Sequence, residues 1–121
     1  MSRRDVLTRL RDMLDYSREA CAMASGKSRS HLNTDRQLNL SLVRLLEIIG
    51  EAASQIPPVE RGKWPQIRWQ AVVGLRNRLI HKYHEVDLDI VWEIISNDLP
   101  PLIHSLNDIL TPEEPTKGSA P

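Results

Sequence analysis

The stretch TDRQLNLSLVRLLEIIGEAASQIPP, Thr34 to Pro58, decides the fold. Leu38, Leu42, Leu45, Leu46, Ile49, Ala53 and Ile56 recur along it at steps of three and four. That is the period of one buried helical face. Pro57-Pro58 ends it, because proline lacks an N–H and pushes the preceding residue out of helical backbone. The spacing predicts a helix from about Thr34 to about Gln55. The strict alternation of a half-buried strand is found neither here nor elsewhere in the chain.

The same period extends outward on both sides. Upstream, Val6, Leu7, Leu10, Met13, Leu14, Cys21 and Ala24 mark a helix over residues 2–25, with Ser2 as its N-cap and Gly26 as its C-terminal stop. Residues 26–33 read as a polar connector. Downstream, residues 57–65 carry three prolines and a glycine and read as a loop with one short turn. A third helix is predicted from Pro65 or Gln66 to about His81, followed by a break over 82–86. Asp87 is placed to cap a fourth helix from Leu88 to about Leu110, which Pro100-Pro101 must kink or split. Four helices with short connectors imply an all-α, antiparallel up-and-down four-helix bundle over residues 1–110. Residues 111–121 lack the apolar content of a core and are expected to be a disordered tail.

With 121 residues, the chain fits one domain, and its 40 % hydrophobic share is enough for a core built mainly from Leu, Ile and Val. The formal net charge is zero, so there is no general basic coat, and any nucleic-acid contact must come from a local patch. The one cysteine, Cys21, excludes an internal disulfide. The polar N-terminus has no apolar signal region after it, and no run is long enough to span a bilayer. A cytoplasmic protein is expected.

The third helix carries the chemical clue. On a regular wheel Val72, Val73, Leu75, Leu79 and Ile80 spread over one apolar arc, and Arg76 falls inside it. An arginine there is costly unless it is paired or faces a polar cleft. It either snorkels to the surface, answers a buried carboxylate, or serves a site. Asn77 and His81 are four apart and share one side of the wheel, whereas Arg76 and His81 are about 140° apart. Those two converge only if the helix end loosens or if two copies meet across a two-fold axis. A guanidinium grips phosphate oxygens, and an imidazole moves protons near neutral pH, so the pair suits phosphoryl chemistry. Asn77 is placed to orient either group. The sequence has no pattern that signals a metal site. An Arg-x4-His spacing alone is a weak signal.

Its surroundings add specificity. The run Leu45-Leu46-Glu47-Ile48-Ile49-Gly50-Glu51-Ala52-Ala53 leads to Pro65-Gln66-Ile67-Arg68-Trp69. Then come Gly74-Leu75-Arg76-Asn77-Arg78-Leu79-Ile80-His81-Lys82-Tyr83, Val86-Asp87-Leu88-Asp89-Ile90-Val91-Trp92 and Asn97-Asp98-Leu99-Pro100-Pro101-Leu102. Together these resemble the HepT-like family of HEPN domains over about residues 3–110.

The resemblance implies a helical bundle that forms a homodimer. It implies a composite, metal-independent ribonuclease site at the dimer interface, with Arg76 and His81 as catalytic residues and Asn77 as the polar residue after the arginine. The family extends the motif to Arg-x4-His-x-Tyr, which places Tyr83 as the acceptor of AMP. An MntA-like minimal nucleotidyltransferase antitoxin would transfer AMP from ATP to that tyrosine and silence the toxin; the chain itself would need no cofactor. AMP adds bulk and negative charge where RNA phosphate would sit. The expected cleavage is attack by a ribose 2′-hydroxyl, leaving a cyclic phosphate. Lys82, followed by His84, departs from the small or apolar residue usual between the histidine and the tyrosine, and either could support RNA binding or alter the acceptor's surroundings.

Other residues have simpler readings. Glu47 and Glu51, near Arg44, form a solvated face; alternatively Glu51 pairs with Arg76. Trp64, Trp69 and Trp92 read as packing anchors, Cys21 as a buried small residue, and His31 and His104 as surface residues. Two competing functions stand beside the ribonuclease. One is a non-catalytic module that docks a nucleotidyltransferase or a nucleotide, which the neutral charge favours. The other is a helical dimer with no ligand.

Overall fold

The computed structural model describes residues 1–80 and 85–111. The first helix, α1 (Arg3–Ala24), is closed at its start by a reciprocal capping box between Ser2 and Asp5. Val6, Leu10, Met13, Leu14, Ser17, Ala20 and Ala24 form its buried stripe. Gly26 follows with φ 76°, a left-handed backbone that glycine adopts without strain. The connector folds a single turn, α2 (His31–Thr34).

The helix that decides the fold is α3 (Arg36–Ser54), capped by the Asp35 carboxylate on the Leu38 amide. The whole predicted stripe is buried, from Leu38 to Ile56. After Pro57 comes a short turn, α4 (Pro58–Arg61), in the predicted loop.

The predicted third helix differs from the structure. It starts later, ends earlier and is broken into α5 (Trp69–Val73) and α6 (Leu75–Leu79). Gly74 sits at the break. Gln66, Ile67 and Arg68 form a bent lead-in rather than a first helical turn. Ile80 already has extended backbone, with φ −92° and ψ 126°.

Asp87 caps α7 (Leu88–Glu93), as the sequence predicts. The kink expected at Pro100-Pro101 takes the form of a π-helical turn, Ile94–Asp98, followed by α8 (Leu99–Leu110) with proline in its first turn. The Leu99 amide donates to the Ile94 carbonyl, five residues back. The Ile95 carbonyl then accepts a weak bond from the Cys21 thiol at 4.0 Å.

The rods α1, α3, α5–α6 and α7–α8 make an all-α helical bundle around one core. Here α1 lies against α3 and α8, and α3 also supports α5 and α6. Among the described residues, no helix is long and apolar enough to cross a membrane. Of the expected tail, residues 111–121, Thr111 is an exposed turn residue and residues 112–121 lie outside the described residues.

Candidate functional site

A single wheel drawn through Val72 and Val73 puts Arg76 in the apolar arc, but only one side of that arc is core: Val72, Leu75 and Leu79 are buried, whereas Val73 is half-buried and Ile80 is 40 % exposed. Leu75 and Leu79, four apart, face the core at 2 % and 1 % exposure. Arg76 and Asn77 are exposed. The buried position inferred for Arg76 is therefore corrected: it stands on the solvent side of a short helix. It forms no hydrogen bond or ion pair among the described residues. Glu51, the alternative carboxylate partner, is exposed as on a solvated face, and its Oε1 accepts from Gln55 Nε2 at 3.2 Å.

Arg78 points the other way. Its Nη2 donates to Asp98 Oδ2 at 2.9 Å, tying α6 to the π-helical turn. This pair lines a cleft of about 380 Å³ whose floor includes Ile67, Val72, Leu75 and Leu102. Arg78 and Asp98 were not singled out from the sequence. They are 20 residues apart, and an acid just ahead of two prolines names no partner by itself.

Beyond α6 the chain is held at two points. Ile80 and Val86 form an isolated antiparallel bridge. The Asp87 amide donates to the Leu79 carbonyl at 2.8 Å, while the Asp87 carboxylate caps the amides of Asp89 and Ile90. Leu79–Ile80 and Val86–Asp87 therefore lie side by side. His81, Lys82, Tyr83 and His84 lie outside the described residues.

Residues 13–109 match the ribonuclease HepT-like family. The chain belongs to that family. It is 36 % identical over 100 residues to a candidate RNase of Methanocaldococcus jannaschii, covering 83 % of this chain and 92 % of the relative. It is 39 % identical over 80 residues to a candidate RNase of Caldanaerobacter subterraneus, covering 66 % of this chain and 71 % of the relative. A candidate ribonuclease HepT of Thermococcus cleftensis is 37 % identical over 68 residues, covering 56 % of this chain and 62 % of the relative. No solved structure matches.

In this HepT-like chain the described tryptophans, His31, His104 and Cys21 pack against the core or sit at the surface. Trp64, Trp69 and Trp92 pack partly buried against the core, and Trp69 Nε1 donates to the Trp64 carbonyl at 3.0 Å. His31 is exposed, and its Nδ1 accepts from the Ser28 amide at 2.8 Å. His104 is exposed beside Asp108, at 3.5 Å. Cys21 is half-buried, and that burial pushes its thiol pKa up, away from the reactive thiolate. Among the described residues, no group of three His, Cys, Asp or Glu is placed to hold a metal ion.

Proposed function

We propose that this chain is a ribonuclease toxin with a composite site made by Arg76 and His81 across a homodimer, and that a partner nucleotidyltransferase silences it by adding AMP to Tyr83. The observation that carries the reading is the position of Arg76. It is an exposed guanidinium with no partner among the described residues, on a helix whose other face is fixed in the core, five residues before His81. An arginine held this way is preorganised for a phosphate rather than for a structural partner.

In the proposed reaction His81 takes the proton of a ribose 2′-hydroxyl. The 2′-oxygen attacks the adjacent phosphorus, Arg76 stabilises the developing charge, and Asn77 orients the phosphate. The 5′-oxygen leaves and is protonated, giving a 2′,3′-cyclic phosphate. These steps use an acid–base group and a cation and call for no metal or cofactor on this chain. Silencing would follow attack of the Tyr83 phenol oxygen on the α-phosphorus of ATP held by the partner, with pyrophosphate leaving and the phenol proton passing to solvent. Lys82 and His84 are placed by sequence to support RNA binding at the same segment. Dimer formation is supported by the apolar side chains of Ile80 and Val86, exposed at 40 % and 36 % on the stems of that segment. We place the protein in the cytoplasm with its RNA substrate.

The test is cleavage of a defined single-stranded RNA in EDTA by the parent chain, Arg76→Ala and His81→Ala. Only the parent is expected to cut. Two variants as active as the parent would remove the site assignment. A parent that binds the partner but leaves RNA intact would support the non-catalytic docking reading, which the zero net charge favours. Mass spectrometry after incubation with partner and ATP should show gains of whole AMP units, absent in Tyr83→Phe.

A further inference from the structure

We propose that Arg78 and Asp98 are a positioning pair for this site, a clamp that sets the direction of Arg76 and the stem leading to His81. The proposal rests on the nuclease reading of Arg76 and His81.

The helix that carries Arg76 has five residues. A helix so short does not hold itself, and tertiary contacts must orient it. Leu75 and Leu79 press one side into the core. Apolar contacts resist burial changes but leave rotation and sliding of a single turn weakly defined. The Arg78–Asp98 bond supplies a directional constraint. Residues two apart on a helix point about 200° apart, so holding Arg78 against the π-helical turn holds Arg76 toward solvent. Leu79, the next residue, accepts the Asp87 amide that closes the stem.

Asp98 faces Arg78 because of the π turn. From α7 through the π turn into α8 the buried positions are Val91, Ile94, Ile95, Leu99, Leu102, Leu106, Ile109 and Leu110. A regular helix continued from Val91 would bring position 98, not 99, onto that stripe. The extra residue in the π turn puts Leu99 there, at 1 % exposure, and turns Asp98 to the flank where Arg78 meets it. Half-exposed ion pairs add little to stability, so what this one contributes is direction. π turns inside helices are often found beside functional sites.

The experiment compares the full-length parent with Asp98→Asn, Asp98→Glu and, as a control, Glu60→Gln, which breaks the distant Lys63–Glu60 pair of 2.7 Å. On the RNA substrate, Asp98→Asn is expected to lower kcat about 10- to 100-fold with little change in KM, the scale of a misplaced group. Asp98→Glu should recover part of that loss, and Glu60→Gln should match the parent. Amide exchange is read in parallel. The Asp87 amide should exchange faster in Asp98→Asn, while α1 and α3 amides stay as in the parent. Unchanged Asp87 exchange overturns the clamp whether or not the protein cuts RNA. A kcat loss that appears only with global loss of protection assigns the pair to stability and also overturns it. If the parent and Arg76→Ala are equally active, the nuclease reading fails while the exchange data still decide the clamp.

Discussion

A methyl group on Gly50 would stand 3.3 Å from the Leu75 Cβ and 3.2 Å from the Val72 carbonyl oxygen. The absence of a side chain at Gly50 is therefore what lets α3 support the junction of α5 and α6, directly beneath the helix that carries Arg76. Gly50→Ala sets two effects against each other. Alanine in a helix interior gains about 1 kcal/mol over glycine. Overpacking against backbone that cannot swing aside costs about 1–3 kcal/mol. The steric term should win, so the variant should melt several degrees lower, and thermal unfolding followed by circular dichroism measures it. A variant more stable than the parent would mean that α5–α6 yields easily.

Arg76→Ala should separate activity from stability. Arg76 is exposed and has no partner among the described residues, so its loss should change unfolding free energy by less than about 0.5 kcal/mol. Removing a charge aimed at a reacting phosphate should lower kcat about 100- to 1,000-fold. Arg76→Lys should not restore it, because an ammonium lacks the planar fork. Urea unfolding and RNA cleavage on the same preparations check both halves. A large stability loss would return Arg76 to a structural role.

The stripe from Leu38 to Ile56 could be read in advance because α3 is long, regular and one-sided. The Asp87 cap and the Gly26 stop were legible because their local chemistry is specific. The third helix was not, because Gly74 breaks a run whose apolar period reads as continuous. A glycine in a helical pattern does not announce whether it bends the chain. Arg76 reads as core for a separate reason: the apolar Val73 and Ile80 widen the arc around it, yet they are half-buried and exposed. Arg78–Asp98 was hidden for another reason. It joins residues distant in sequence, and its geometry depends on a π turn that shifts the phase of the fourth rod by one residue.

The start of α1 should respond to acid. The Ser2 hydroxyl, and after it the Ser2 amide, hold the Asp5 carboxyl below its ordinary value of 3.8. A carboxyl depressed in the folded state stabilises that state above its unfolded pKa, and the contribution is lost as pH falls through the folded pKa. The first turn of α1 should therefore fray on acidification below the ordinary carboxylate range. An NMR titration should place the Asp5 midpoint below 3.8 in the parent and move it upward in Ser2→Ala. Identical midpoints in the two proteins would dismiss the capping box as the cause.

Two causes compete for the π turn at Ile94–Asp98. Pro100 and Pro101 lack the amides that a regular helix would offer to Ser96 and Asn97. Independently, the core requires Leu99 inside and Asp98 outside, since the regular phase would exchange them. Burying a leucine is worth about 1.5–3 kcal/mol, and burying an unpaired carboxylate costs several more. Proline in the first turn of α8 carries little of its usual helix penalty. The apolar phase should therefore dominate. Pro100→Ala/Pro101→Ala is expected to keep the π turn, the Arg78–Asp98 pair and full kcat, with stability equal to or above the parent. Exchange of the Asp87 amide should match the parent as well. A double variant that loses kcat while keeping its helicity would show instead that the prolines set the turn.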